Sequence, residues 1–420
     1  MSGFSTLGLQ AFSTWVGTFF HYTWQSVILY IFGTVLFDGI HWWLHQIEDS
    51  RWSLLRKFSI FHQAHHDFLD ENLQFHDDKT WSNILYHQLP EYMTHQAGTL
   101  LGLFLFDPFA VFLVMAIHTV TFLGATFSMG KDSNHIAYEK TPSPRPGWFV
   151  GPRYHAMHHL YPHQYFGSTV RWFDYLLGTG CQLKGKRVLL TGGSGALGSA
   201  LIPLLKDLGA QEVRTLSFGS DWSYDNYNAF EQRFPDTDIL VLAHGAKVEQ
   251  AMEANCISFV EIIERFKKHA EERSVPVEVW AVGSEIESHS HWGNAELKVY
   301  KASKDAYARF ARAYYRDDTI LYRHIVPSAF ASRMGPGFIS GKTAARYMLF
   351  WIRRGFHYVP VTYTGIAFYN YLKFLFRWNL AQPHEFETLR EVEEHTQEKP
   401  GSSYMSGNPS MLSTQSIRLP

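Results

Sequence analysis

The stretch "FHQAHH", Phe61 to His66, places three histidines at i, i+3 and i+4, and "YHAMHH", Tyr154 to His159, repeats that spacing. On a helix these positions share a face, so each set aims several imidazoles in one direction. "HWWLH", His41 to His45, adds an i, i+4 pair. His41, His45, His62, His65, His66, His155, His158 and His159 together are enough rings to surround two metal ions. Imidazole suits iron, copper and zinc, and an all-nitrogen shell with open positions fits iron that must bind dioxygen better than a closed zinc site. A single such histidine is more often a satisfied polar residue at a helix end. Three clusters at repeated spacing are not explained that way.

The clusters sit among long apolar runs. From Thr23 to Gln46, "TWQSVILYIFGTVLFDGIHWWLHQ" is long enough for a membrane helix, with aromatic anchors near its ends. Arg51, Arg56 and Lys57 follow and place that end in the cytoplasm. The opening run "FSTLGLQAFSTWVGTFF", Phe4 to Phe20, lacks the basic start and cleavage site of a signal peptide, so a mature, amphipathic or partly inserted helix is expected. Gly98 to Ser128 is apolar but broken at Asp107-Pro108, which predicts a hairpin entering and leaving the bilayer on one side. The Pro-rich "TPSPRPG", Thr141 to Gly147, ends any helix and leads into the second cluster, so both clusters are expected just outside the bilayer on the cytoplasmic side.

Charge is nearly balanced, Lys+Arg 37 against Asp+Glu 39, without the basic footprint of a nucleic-acid binder. Cys181 and Cys256 are too few for a disulfide framework or a thiolate cage, which favours a reducing compartment and a metal held by nitrogen or oxygen.

After Cys181 the character changes. "KGKRVLLTGGSGALGSALIPLLKDLGAQEVRTLSF", Lys184 to Phe218, reads as strand, Gly-rich turn, helix and strand, so a soluble α/β domain starts near Lys184. Within "TGGSGALG", Gly192, Gly195 and Gly198 allow a cofactor pyrophosphate to approach the helix N-terminus, with Thr191 and Leu197 in the same turn and Ala243 after the next strand. In "YKASK", Tyr300 and Lys304 lie four apart on a helix, where the ammonium lowers the phenol pKa and holds the nicotinamide ribose. Ser284, after "VEVWAVG", is placed to hydrogen-bond a substrate oxygen, with Ser288 as fallback. Asp221, after the second strand, either contacts a free 2′-hydroxyl, favouring NAD over NADP, or is a solvated loop residue. Too few residues separate Phe218 from Ile239 for a full βα unit, so a sheet trimmed on the adenine side is expected. Residues 356–378 are aromatic and partly amphipathic and are expected on a membrane surface, and the polar tail 385–420 is expected to be disordered.

The first half resembles the fatty acid hydroxylase and sterol desaturase superfamily, whose members carry HxxxH, HxxHH and a second HxxHH. The likeness extends through "YFGSTVRWFDYLLGT", with Trp172, Asp174, Gly178 and Thr179. Where many relatives read His-Ser-Asn, this chain reads "DSN", Asp132 to Asn134, then His135. Asp132 or His135 would replace that ligand, and His118 is a further candidate. The second half resembles the short-chain dehydrogenase/reductase family, which implies a tetrad of Asn255, Ser284, Tyr300 and Lys304. "LAHG" in place of Asn-Asn-Ala-Gly and "VPS" in place of Pro-Gly depart from it.

The two resemblances imply a membrane α-helical domain over residues 1–180, an α/β Rossmann-like domain over 181–360 and a membrane-associated segment over 361–384. They imply two iron ions, NAD or NADP, and a single-electron donor such as a ferredoxin or cytochrome b5 type protein. The implied activity is dioxygen-dependent hydroxylation or desaturation of a lipid, with dehydrogenase chemistry on the same lipid class. Two alternatives are a fatty-aldehyde to alkane enzyme similar to plant wax-synthesis proteins, and a dehydrogenase-like domain that only binds.

Overall fold

The computed structural model describes residues 3–288 and 294–376; the tail from 385 lies outside the described residues. The chain opens with one continuous helix, α1 (Gly3–Glu48). The helix expected over the opening run is the first part of α1: no proline interrupts the run, and the apolar residues continue through it. Phe12–Glu48 and Pro108–Phe127 are the two helices long and apolar enough to cross a membrane among the described residues.

After α1 come α2 (Ser53–Phe58), α3 (Ile60–Phe68) and α4 (Thr80–Asn83), then a π-helical turn (Ile84–Gln88) running into α5 (Leu89–Leu101). The break at Asp107-Pro108 is where the sequence puts it. Asp107 caps α6 (Pro108–Phe127) by accepting the Phe109 N–H at 2.8 Å. The Gln25 side chain in turn accepts the Asp107 N–H at 2.8 Å, tying the hairpin tip to α1. Helices α1 and α5 approach through small residues: a Cβ on Gly98 would lie 3.3 Å from the Gly33 Cα, and one on Gly102 would lie 2.2 Å from Leu29.

Helices α7 (Pro152–Leu160) and α8 (Trp172–Leu177) close the histidine domain around Asp174. This buried carboxylate accepts from Tyr154 Oη (2.8 Å), Phe166 N (2.9 Å), Gly167 N (2.9 Å) and Thr179 Oγ1 (2.6 Å). Gly178 ends α8 at φ +73°, which a side chain rarely adopts. The pattern of Asp174, Gly178 and Thr179 is thus a clamp that fixes α7, apart from the histidine clusters.

The second half is a doubly wound sheet. Strands β1 (Arg187–Thr191), β2 (Glu212–Leu216), β3 (Ile239–Leu242), β4 (Val277–Val282) and β5 (Ile320–Pro327) are followed by the two-residue strands β6 (Phe330–Ala331) and β7 (Ile339–Ser340), and by β8 (Tyr358–Val361). The six-stranded sheet is parallel in the order β2-β1-β3-β4-β5-β8, with β6 pairing β7 apart from it. Helices α9 (Ala196–Asp207) and α13 (Gly341–Arg353) cover one face through Leu201, Leu205, Ala344 and Met348. Helices α11 (Ser258–Ala270) and α12 (Ala295–Tyr314) cover the other, burying Phe259, Phe266 and Tyr307. The short α10 (Asn228–Glu231) replaces a full crossover, so β2 is the edge strand and the expected trimming on that side is present.

Of the run 356–378, the structure describes residues up to 376, and its first part is a strand of the sheet. Tyr358–Val361 is fully buried as the opposite edge strand, where Pro360 lacks only a donor that an edge position can forgo. Helix α14 (Ile366–Phe376) buries Ala367, Asn370 and Phe374, while Phe368, Tyr369 and Leu372 stay exposed.

The histidine domain meets the sheet at the N-terminal ends of its strands. Ser143 Oγ donates to Ile320 O at 2.9 Å, Thr141 N to Ser274 O at 3.0 Å, and Gly180 N to Arg353 O at 2.8 Å. Arg145 and Arg153 both pair with Asp318, and Lys186 Nζ donates to Tyr161 Oη at 2.6 Å. The Pro-rich stretch is therefore a strap along the sheet.

Candidate metal centre and dinucleotide cleft

Two sets of four imidazoles converge. His41, His45, His62 and His158 form one, and His65, His135, His155 and His159 the other, with the candidate ligand nitrogens of each set within 4.8 Å of one another. α1 supplies His41 and His45, α3 supplies His62 and His65, and α7 supplies His155, His158 and His159. Seven of the eight sequence candidates thus fall in the two sets. His66 lies alongside, its Nε2 2.7 Å from that of His62.

The eighth place belongs to His135, in a loop. Asp132 Oδ1 lies 2.8 Å from His135 Nδ1, which leaves Nε2 pointing at His155 Nε2 (3.1 Å) and His65 Nε2 (3.4 Å). Asp132 therefore orients a ring, the usual second role beside a metal-binding histidine. Likewise, His158 Nδ1 lies 2.8 Å from Gln164 O, which fixes the tautomer with Nε2 inward. His118 is in neither set; it stacks between Tyr30 and His95.

Burial, reinforced by neighbouring imidazoles, pushes His62, His65 and His159 well below the usual histidine range. Burial lowers His158 to about 4. Neutral rings are the form that binds metal. Nδ1 atoms of His41, His45, His62, His65 and His159 are buried without a protein partner, and the close-set Nε2 atoms have chiefly one another. Rings this close, neutral and short of other partners fit two metal ions.

In the second half the Gly-rich turn is required by space. Gly192 has φ +72°, and a Cβ there would lie 2.5 Å from Ala243 O; one on Gly198 would lie 2.3 Å from Gly192 O. Gly195 N-caps α9. Leu197 is a core residue. Thr191 Oγ1 is engaged with His244 Nδ1 at 2.7 Å, so it braces β1 against β3. Asp221 is exposed and accepts the Ser217 N–H at 2.7 Å.

Burial pushes the Tyr300 phenol up to about 12, with neighbouring Ser284 offsetting part of the rise, which is opposite to the lowering by Lys304 expected from the sequence. Lys304 Nζ donates to Val282 O at 2.7 Å and lies 6.0 Å from the Tyr300 ring centre; burial lowers it to about 8. Asn255 lies in a π-helical turn (Glu253–Ile257), as single π-turns at functional sites often do. Its Nδ2 donates to Ala246 O (2.6 Å) and Ser303 Oγ (3.0 Å), and Ser303 Oγ donates to Tyr300 O (2.8 Å).

A buried pair behind this group was not legible in the sequence: His324 Nε2 sits 3.0 Å from Glu287 Oε1, and His324 Nδ1 3.2 Å from Tyr322 Oη. His324 lies inside an apolar-looking strand, and only the turn at Gly283 brings Glu287 beneath Ser284.

Residues 26–179 match the fatty acid hydroxylase family model. A monoglucosyldiacylglycerol epimerase from Synechocystis is 28% identical over 255 residues, a match covering 54% of this chain and 61% of that protein. The chain thus matches less than two thirds of that relative's length. Solved structures similar to the chain include a short-chain dehydrogenase from Burkholderia cenocepacia in complex with NADP (TM-score 0.38, 16% identity, 52% of this chain and 100% of that one). Another is a short-chain dehydrogenase from Sphingobium yanoikuyae in complex with NADPH (TM-score 0.35, 11% identity, 53% and 99%).

Proposed function

We propose that this chain is a lipid-modifying oxidoreductase whose histidine domain holds two iron ions at the paired four-histidine sets and whose Rossmann domain binds NAD or NADP. The convergence of the ligand nitrogens within each set, to 4.8 Å of one another, carries this reading, and the fatty acid hydroxylase match over the same residues supports it. Bound iron would supply dioxygen activation for hydroxylation or desaturation, drawing single electrons from a separate protein donor. The chain's own residues hold neutral imidazoles in place, with Asp132 and Gln164 setting the proton positions on His135 and His158. The histidine sets and the Rossmann domain would lie on the cytoplasmic side, because Arg51, Arg56 and Lys57 follow the first span.

In the Rossmann domain, Tyr300 is the group that gives or takes the carbinol proton, Ser284 holds the substrate oxygen and Lys304 the ribose. A second reading is favoured by the epimerase match. A nicotinamide site that oxidises a carbinol and re-reduces the ketone from the opposite face inverts one stereocentre with no net electron demand.

Metal analysis of the full chain in detergent tests the main reading. Iron bound in the wild type and lost in the double variant His65→Ala, His158→Ala is expected. Absence of iron, or loading unchanged in the variant, overturns it.

A further inference from the structure

A cavity of about 330 Å³ adjoins the histidine sets, with His41, His65, His135 and His155 on one wall. Polar side chains from helices of the apolar half also line it, among aromatic residues that include Phe37, Phe122 and Phe166. Glu91 and His95 come from α5, His118 from the membrane-length helix α6 and Tyr30 from α1. The rings of Tyr30 and His118 stack at 4.8 Å, and those of His118 and His95 at 4.7 Å.

These groups converge without satisfying one another. Glu91 Oε2 is 3.8 Å from His87 Nε2 and Oε1 is 3.9 Å from His95 Nε2, both too long for a hydrogen bond. The Nε2 atoms of His95 and His118 are buried and have no partner, and His118 is only 2% exposed. Ionisable side chains in membrane-spanning segments are costly and mark functional sites by default.

We propose that this cavity is a subsite for the uncharged, hydroxyl-rich head of a lipid, with Glu91, His95 and His118 as its hydrogen-bonding wall. It rests on the reading of the domain as lipid-modifying, and it adds the substrate class and its orientation. A methylene chain placed here would leave the carboxylate and both imidazoles unpaired, at a desolvation cost it cannot offset. A phosphate or carboxylate head would face the Asp132 carboxylate, and no Lys or Arg lines the cavity among the described residues. Hydroxyls both donate and accept, so they can donate to Glu91 and pair with either tautomer of the imidazoles. Because members of both histidine sets line the same cavity, the head rather than the acyl tail lies beside them. The carbon that is modified would then be in the head or next to it.

The test uses the full chain in a polyoxyethylene detergent, since sugar detergents would compete. Monoglucosyldiacylglycerol, diacylglycerol and phosphatidic acid with the same acyl chains are each titrated, and lipid retained by immobilised protein is measured. The glucosyl lipid is expected to bind about tenfold or more tightly than the other two. Glu91→Gln and His118→Phe should each remove most of that advantage while iron content stays at the wild-type level. Equal or tighter binding of diacylglycerol or phosphatidic acid overturns the proposal, as does wild-type selectivity in both variants. Should the variants fail to fold, the lipid series on the wild type decides by itself. An iron-free protein that still selects the glucosyl lipid would overturn the metal reading and leave this one standing.

Discussion

Asp174→Asn tests whether the clamp behind α7 is what holds the second histidine cluster in place. The carboxylate oxygens each take two donors, Phe166 N and Thr179 Oγ1 on Oδ1, Tyr154 Oη and Gly167 N on Oδ2. An amide keeps one oxygen, so whichever way it is turned its NH₂ faces one backbone N–H and one hydroxyl. The hydroxyl can rotate to accept, but the backbone N–H cannot. One hydrogen bond to a charged acceptor is lost and a buried donor is orphaned opposite another, each costing about 1–3 kcal/mol, so a total of about 2–6 kcal/mol is expected. Because Tyr154 precedes His155 and opens the helix that also carries His158 and His159, the loss should appear in metal loading as well as stability. Urea denaturation of the full chain, with iron content measured on the same samples, reads both. Asp78→Asn, at a side chain 73% exposed, is the control expected to stay within about 0.5 kcal/mol. An Asp174→Asn protein within about 1 kcal/mol of wild type that keeps its iron would refute the clamp.

Gly192→Ala should weaken nicotinamide binding and destabilise the second half by at least about 1–2 kcal/mol. The cause is its φ of +72° and the 2.5 Å approach of its Cβ to Ala243 O, and quenching of nicotinamide fluorescence checks it. Tyr300→Phe keeps the ring and removes the phenolic proton, so nicotinamide-dependent turnover of an alcohol or ketone should vanish with iron content unchanged. His158→Ala should do the reverse, and a nicotinamide turnover assay run beside metal analysis separates the two. Lys304 has its ionised form disfavoured in the fold, down to about 8, whereas the unfolded chain keeps the proton up to the ordinary 10.5. The unfolded state therefore binds more protons between those values, so stability should rise with pH across that window, by about 3 kcal/mol at most. Stability measured from pH 8 to 10.5 should climb less steeply in Lys304→Met.

The histidine sets were legible because their members come mostly from helices, and i, i+3, i+4 spacing is written directly in the sequence. The exception shows the limit. His135 sits in a loop, and only the Asp132 turn carries it to His65 and His155, whereas His66 has the right spacing and lies to one side. The Gly-rich turn was legible for a similar reason, since close backbone approach permits only glycine at Gly192 and Gly198. The trimmed sheet followed from a count of residues. By contrast, "YVPV" within an aromatic run gives no local sign that it is an edge strand, since parallel strands lack polar alternation. Glu91, His95 and His118 are a helical pair and a distant residue whose meeting depends on how α5 packs on α6, which no local pattern records.

The docking geometry bears on how the two halves share work. Contacts of the histidine domain fall at the N-terminal ends of β4, β5 and β8, through Ser274, Ile320 and Arg353. Gly192, Ala243 and Ser284 follow the C-terminal ends of β1, β3 and β4. The length of the sheet lies between, and strands rise about 3.3 Å per residue, so roughly 15–20 Å or more separates the two centres. Hydride transfer needs contact, so on the proposed function a nicotinamide in the cleft would not reduce a metal held by the histidine sets directly. A lipid processed at both centres must also leave one to reach the other, with the membrane as the route. Coupling by diffusion has a consequence that a tunnel would not. His158→Ala and Tyr300→Phe chains placed in the same membrane should together restore the two-step product, because each supplies the step the other lacks. A mixture no more active than either variant alone would mean that the intermediate passes within one chain, and the separation inferred from the sheet would then be wrong.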